Sequence, residues 1–215
     1  MIKAIIFDVD GTLLDTERIY IQAWQESGVR HGFPIPMEAL MKTRAVNAAV
    51  ATAVFQEYCG QDFPYETIRT TRVEIAEAMI AKETPAQLCK PHAAQVLKQL
   101  QEKGYTLGVA SSTSHAKTVE HLEHAGLLHY FSVIVGGDMV KNGKPNPDIF
   151  LLAAEKAGAK PEECLVVGDS PADVQASHAA GIPVILIPDQ VPANGQTTAL
   201  SLHVLNELQQ LLSIT

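Results

Sequence analysis

The chain has 215 residues, 47% hydrophobic and 19% charged, a balance that excludes disordered, collagen-like and coiled-coil classes. With 24 acidic and 16 basic residues the net charge is −8, and no basic stripe is visible, so nucleic acid is not an expected partner. Any anion bound by such a chain would need a local device, such as a metal ion or a helix N-terminus.

Residues 2–7 form a short apolar run broken only by Lys3, the pattern of a buried parallel strand. Residues 15–86 then show no strand-like run. They read as helices over 17–31, 37–59 and 65–82, with turns at 32–36 and 60–64. The crossings at 13–16 and 84–91 are candidate hinges. Beyond them, strand-like runs at 106–110, 133–135, 165–167 and 184–187 alternate with helical patterns. The helices over 93–102, 115–124, 149–156 and 172–180 end at Gly104, Gly126, Gly158 and Gly181, where a C-cap suits a residue of positive φ. The tail, 202–212, reads as a closing amphipathic helix. This alternation predicts an α/β, Rossmann-like parallel sheet with helices on both faces, formed by 1–14 and 87–215, and an inserted α-helical cap over 15–86.

Cys59, Cys89 and Cys164 are dispersed and odd in number, which suits neither a disulfide framework nor a zinc site and fits a reducing cytoplasm. The N-terminal MIKAIIFDVDG lacks the cleavage pattern of a signal peptide, and no apolar run nears the roughly 18 residues of a membrane span, so no membrane partner is expected.

Four strand ends carry the candidate chemistry. Asp8 and Asp10, in Asp8-Val9-Asp10-Gly11-Thr12-Leu13-Leu14-Asp15-Thr16, leave a strand on the same side. Two nearby carboxylates favour a cation beside them, and one can act as a nucleophile while the other manages protons. A simple turn would also place Asp and Gly here, but two acids at one sheet edge are costly. An EF-hand loop is excluded by the missing later ligands. Ser111-Ser112-Thr113-Ser114 follows the second strand, where hydroxyls and backbone N–H groups can hold phosphate oxygens or simply cap a helix. In Lys144-Pro145-Asn146-Pro147-Asp148, Asn146 and Pro147 read as N-cap and first helical residue, which leaves Lys144 as a point charge at the same edge. Gly168-Asp169-Ser170-Pro171-Ala172-Asp173 adds two acids. Asp169 can complete a magnesium site with Asp8, and Asp173 either approaches the metal or faces a helix dipole.

These segments, in this order and over nearly the whole chain, resemble the haloacid dehalogenase superfamily, and within it the β-phosphoglucomutase-like phosphatases with a helical cap. The resemblance implies Asp8 as nucleophile and Asp10 as general acid/base. It further implies Ser111 and Lys144 at the phosphoryl group and Mg²⁺ held by Asp169 and the Asp10 carbonyl beside Asp8; Ser112 is a further candidate for the phosphate and Asp173 for the metal. Asp10 argues for phosphoryl chemistry, because the dehalogenase branch lacks that acid. The implied reaction is magnesium-dependent hydrolysis of a small phosphorylated metabolite, a sugar phosphate among the candidates, through an aspartyl-phosphate, with the cap closing to exclude water. The protein is then expected to be a cytoplasmic monomer.

A phosphomutase is the alternative on the same core. Members with that activity place a His where this chain has Tyr20 and a cap Arg near residues 45–47. Here the nearest cations are Lys42 and Arg44, and Arg44 is the candidate substrate contact in a shifted register. The family often has Gly after Pro where this chain has Pro91-His92. Trp24 is expected to pack in a core. His115, His121, His124 and His129 read as a solvated helix face rather than a metal pair, with His115 alone near the phosphate loop. A non-catalytic phospho-switch binding a protein partner is the third reading, in which receiver domains combine similar groups without an inserted cap.

Overall fold

The computed structural model describes residues 1–44 and 48–215. In chain order the elements are β1 (Ala4–Phe7), α1 (Glu17–Arg30), α2 (Met37–Lys42), α3 (Ala48–Cys59), α4 (Tyr65–Ile80), α5 (Pro85–Leu88), α6 (Ala93–Glu102), β2 (Thr106–Ser111), α7 (His115–His124), β3 (Val133–Gly136), α8 (Asp148–Lys156), β4 (Cys164–Gly168), α9 (Pro171–Ala179), β5 (Val184–Leu186), α10 (Gly195–Leu200) and β6 (His203–Val204). By their internal contacts they fall into two compact units, Met1–Asp15 with Thr84–Thr215, and Thr16–Glu83.

The first unit is a six-stranded sheet in the order β3-β2-β1-β4-β5-β6, with every pair parallel. Parallel strands must be covered on both faces, which is why β1, β2 and β4 are apolar almost throughout. One face carries Ala4, Ile6, Ala110, Val135, Val166 and Val184, and the inner sides of α8 and α9 close over it through Ile149, Phe150, Ala153 and Val174. The alternate residues, Ile5, Phe7, Val109 and Val167, point to the opposite face and are equally buried. Chain order runs outward from β1 to β2 and β3, then returns to β4 on the other side, so β1 is the point at which the strand order reverses. Ligands bind at the C-terminal ends of strands beside such a point. The register there is Phe7 opposite Val109 on one side and Val167 on the other.

In the second unit, α1 and α4 pack along each other, and Ser27 Oγ donates to the Ile68 carbonyl at 2.7 Å. Trp24, Phe55, Phe63 and Tyr65 form an aromatic core, with Trp24 and Phe55 ring centroids 5.0 Å apart. Trp24 thus packs as its helical position suggested.

Two sequence expectations change. The stretch read as one helix over 37–59 is two helices. The Thr43 hydroxyl donates back to the Leu40 carbonyl at 3.0 Å and ends α2, while the cap position near residues 45–47 lies outside the described residues. The tail is no amphipathic helix. Leu202 N and Leu205 N donate to Val184 O and Leu186 O, which draws residues 203–204 into an edge strand, and only a 3-10 turn over Leu208–Ser213 follows, with Leu208 and Leu211 buried. The spacing of leucines had mimicked a helix period. His92 precedes α6 at φ +64, a left-handed conformation in which Gly carries no Cβ penalty.

Candidate active site at the sheet edge

Asp8 N donates to Val167 O at 2.9 Å, so the ladder carries the strand one residue past Phe7 and delivers the Asp8 side chain at the reversal point. The chain then turns tightly. The amides of Thr12, Leu13 and Leu14 converge on the Val9 carbonyl, and Gly11 N donates to Leu14 O at 2.8 Å. Gly11 has φ +88, and a Cβ there would lie 2.5 Å from Asp169 Oδ2, so the turn needs glycine twice over. Thr12, in the same turn, aims its hydroxyl at Asp169 Oδ1 from 3.4 Å.

Lys144 enters from the loop before α8. Its Nζ donates to Asp8 Oδ1 at 2.5 Å and to the Ala110 carbonyl at 2.8 Å, and pairs with Asp173 Oδ1 at 2.7 Å. Two hydrogen bonds thus anchor the ammonium, and Asp173 Oδ1 stands beside it as an ion-pair partner. The Lys144 side chain is 4% exposed and lies over the Phe150 ring, 4.9 Å from its centroid. Burial alone would lower its pKa, but the carboxylates of Asp173 and Asp8 outweigh that and hold the ammonium well above the ordinary lysine range.

Asp173 sits in the first turn of α9. Its Oδ2 accepts from Ser170 N at 3.1 Å and from Ser170 Oγ at 2.5 Å, while Ser170 Oγ accepts from Asp173 N at 3.3 Å. This reciprocal capping fixes the carboxylate. A Cβ on Gly168 would stand 2.5 Å from Asp173 Cβ, so β4 must end in glycine for α9 to come this close.

One carboxylate oxygen from each of Asp8, Asp169 and Asp173 lies within 4.8 Å of the others, and all three residues are buried. Burial pushes the Asp8 carboxyl up to about 8; Lys144 opposes the rise, and Asp173 and Asp10 add to it. Three hard oxygen donors crowded at a buried point, one of them reluctant to ionise, fit a small divalent cation that would supply the missing positive charge.

Asp10 is half-buried beside them, and Thr113 Oγ1 donates to its Oδ2 at 3.1 Å. Ser111 is buried and its Oγ accepts from Thr113 N at 3.1 Å, whereas Ser112 is exposed. Gly137 N holds this loop through the Thr113 carbonyl at 2.8 Å. The first amide of α7, at His115, is already taken by Asp138 Oδ1 at 2.7 Å.

The structure thus brings Asp8, Asp10, Ser111, Lys144, Asp169 and Asp173 to one edge. Arg44 lies in the second unit, where it pairs with Glu17. Helix α8 begins at Asp148 with Pro147 as N-cap, one residue later than the motif suggested, and Asn146 Nδ2 caps the Gly143 carbonyl instead. His121 is buried rather than solvated. Sequence reading passed over Thr113, Thr12 and Ser170. Each sits inside a quoted motif, two residues after Ser111, two after Asp10 and three before Asp173, so spacing alone held the signal.

Residues 5–187 match the family model described as haloacid dehalogenase-like hydrolase. The chain is 32% identical over 180 residues to the phosphorylated carbohydrates phosphatase of Thermotoga maritima, covering 84% of this chain and 82% of that protein. It is 31% identical over 186 residues to the fructose-1-phosphate phosphatase of Escherichia coli K12, covering 84% and 94%. Among solved structures, CbbY from Rhodobacter sphaeroides in complex with phosphate superimposes with a TM-score of 0.77 at 28% identity, over 98% of this chain and 96% of that one.

Proposed function

The chain belongs to the haloacid dehalogenase-like hydrolases, and from that premise we propose that it hydrolyses the phosphate monoester of a small phosphorylated sugar through an aspartyl-phosphate on Asp8. The observation that carries this reading is Lys144, buried and shared between Asp8 and Asp173 at the end of β1. A cation in that place holds a nucleophilic carboxylate and an incoming phosphoryl group together. The similarity to two sugar phosphate phosphatases supports the substrate class.

Asp8 would attack phosphorus, forming an O–P bond as the ester P–O bond breaks, while Asp10 gives its proton to the departing alcohol oxygen. Water then attacks phosphorus, its proton passing to the Asp10 carboxylate, and the Asp8–phosphorus bond breaks to free phosphate. Thr113 orients Asp10 for both transfers through its 3.1 Å hydrogen bond. Ser111 and Lys144 would hold the phosphoryl oxygens. Asp8, Asp169 and the Asp10 carbonyl would hold Mg²⁺, with Asp173 facing the same point. Magnesium when bound would keep Asp8 ionised and offset phosphoryl charge. The inserted unit is assigned the choice of leaving group, with Arg44 as the candidate substrate contact.

The test is phosphate release from a panel of sugar phosphates, with and without magnesium, by wild type and by Asp8→Asn. Release that needs magnesium and disappears in the variant is expected. An inert wild type, or a fully active Asp8→Asn protein, would refute the reading.

A further inference from the structure

Lys90 stands outside the group just described, yet it joins three segments that lead into it. Residues 13–15 and 88–90 run side by side as an antiparallel ribbon, with Asp15 N donating to Leu88 O and Lys90 N to Leu13 O, each at 2.8 Å, and Leu14 paired with Cys89. Leu14 in turn accepts from Gly11 N and is bridged to Asp10. The backbone that carries Asp10 is thus continuous, bond by bond, with the ribbon.

The Lys90 ammonium lies 3.1 Å from Asp15 Oδ1 and 2.8 Å from Asp189 Oδ1. Its side chain is 18% exposed and that of Asp189 13%. Asp189 follows β5, and two residues earlier Ile187 N donates to the Gly168 carbonyl at 2.9 Å, next to Asp169. A single cation therefore ties the turn bearing Asp10 to the segment that abuts Asp169. An exposed ion pair would be an ordinary surface contact. This one is largely screened from water at Lys90 and Asp189, with Asp15 32% exposed, and bridges partners 75 and 99 residues away in sequence. Without the ammonium, the Asp15 and Asp189 carboxylates would be left facing each other, and their repulsion would push the ribbon away from the segment after β5.

We propose that Lys90 is a positioning residue for the acid/base step: by clamping Asp15 to Asp189 it fixes the turn that holds Asp10 against the departing oxygen. The catalytic half of this proposal rests on the phosphatase reading above; the clamp itself does not. A misplaced acid harms a poor leaving group more than a good one, because an aryl oxide departs with little help from a proton. Displacements of about an ångström cost on the order of 100-fold when a catalytic group is involved.

The experiment compares wild type with Lys90→Met, Lys90→Arg and Asp189→Asn, on an alkyl phosphate and on 4-nitrophenyl phosphate, together with hydrogen exchange at the Asp15 and Lys90 amides. Lys90→Met should lower kcat/KM, which reports only the steps through departure of the alcohol, about tenfold on the alkyl ester and much less on the aryl ester, and exchange faster at both amides. Lys90→Arg should restore both, and Asp189→Asn should show the same pattern more weakly. Equal loss of kcat/KM on both esters, or wild-type kinetics in Lys90→Met, would overturn the positioning role. Unchanged exchange in Lys90→Met would overturn the clamp, whatever the activity. An inert wild type with a loosened ribbon in Lys90→Met would instead uphold the clamp and defeat the phosphatase reading.

Discussion

Replacing Asp173 with Ala should unfold the protein more readily by about 4 kcal/mol, and the two parts of that figure can be separated. The Asp173 side chain is 2% exposed and pairs at 2.7 Å with a Lys144 side chain that is 4% exposed. Removing one partner of a buried pair costs about 3–5 kcal/mol, because the remaining charge stays buried without compensation. Lys144 keeps Asp8 and the Ala110 carbonyl, so the lower end, about 3 kcal/mol, applies. Ala also removes the acceptor for Ser170 N and Oγ, a capping loss of about 1 kcal/mol. Asp173→Asn keeps an oxygen for Ser170 and forfeits only the charge, so it should cost about 3 kcal/mol. Urea unfolding of the three proteins in chelator, followed by hydrogen exchange at the amides of β1 and β4 in the same unit, measures this directly. In excess magnesium the wild type should gain about 2.7 kcal/mol at 100 times the dissociation constant. Asp173→Ala should keep part of that gain, since Asp8 and Asp169 remain. A cost below about 1 kcal/mol for Asp173→Ala would show that the Lys144–Asp173 contact does not hold the site together.

Asp8→Asn should reduce kcat by at least ~10³-fold while circular dichroism stays native, since it removes the proposed nucleophile and inserts a neutral group where burial already disfavours charge. His92→Gly should raise stability by about 1 kcal/mol in chemical denaturation, because a φ of +64 carries a Cβ penalty that glycine avoids. Cys164 is fully buried, and burial, with Glu163 and Glu162 adding to it, pushes its thiol up to about 11. In a thiol titration at pH 8 it should react only after unfolding, while Cys59 and Cys89, which are partly exposed, react in the native protein.

What could be read in the sequence was what a single segment decides. The strands of the sheet announced themselves because burial on both faces removes polar residues from the run, as in Ala4–Phe7. Helices α6 and α7 were legible to the residue because Gly104 and Gly126 end them at positive φ. Strand β6 was not legible. A two-residue edge strand with both residues exposed has no apolar signature, and its neighbours Leu202, Leu205 and Leu208 happen to repeat at helical spacing. The acids and Lys144 were legible as types at strand ends. Who holds whom was not, since the link from Lys144 to Asp173 and the link from Thr113 to Asp10 are set by which strands lie beside β1.

The same distinction explains how an acidic chain can suit an anionic substrate. A net charge of −8 excludes a broad basic surface. It does not exclude a site in which the sheet order gathers Asp8, Asp169 and Asp173 at one point, with a single ammonium paired to Asp8 and Asp173. Lys144 offsets one of those charges, and a divalent cation would offset two more, which leaves the buried edge near neutrality before a phosphate ester arrives. Removing Lys144 would therefore do more than delete the proposed phosphate contact. It would leave the three acids to depend wholly on the metal, and that is why its position over Phe150, sealed from water, matters more than the charge of the chain around it.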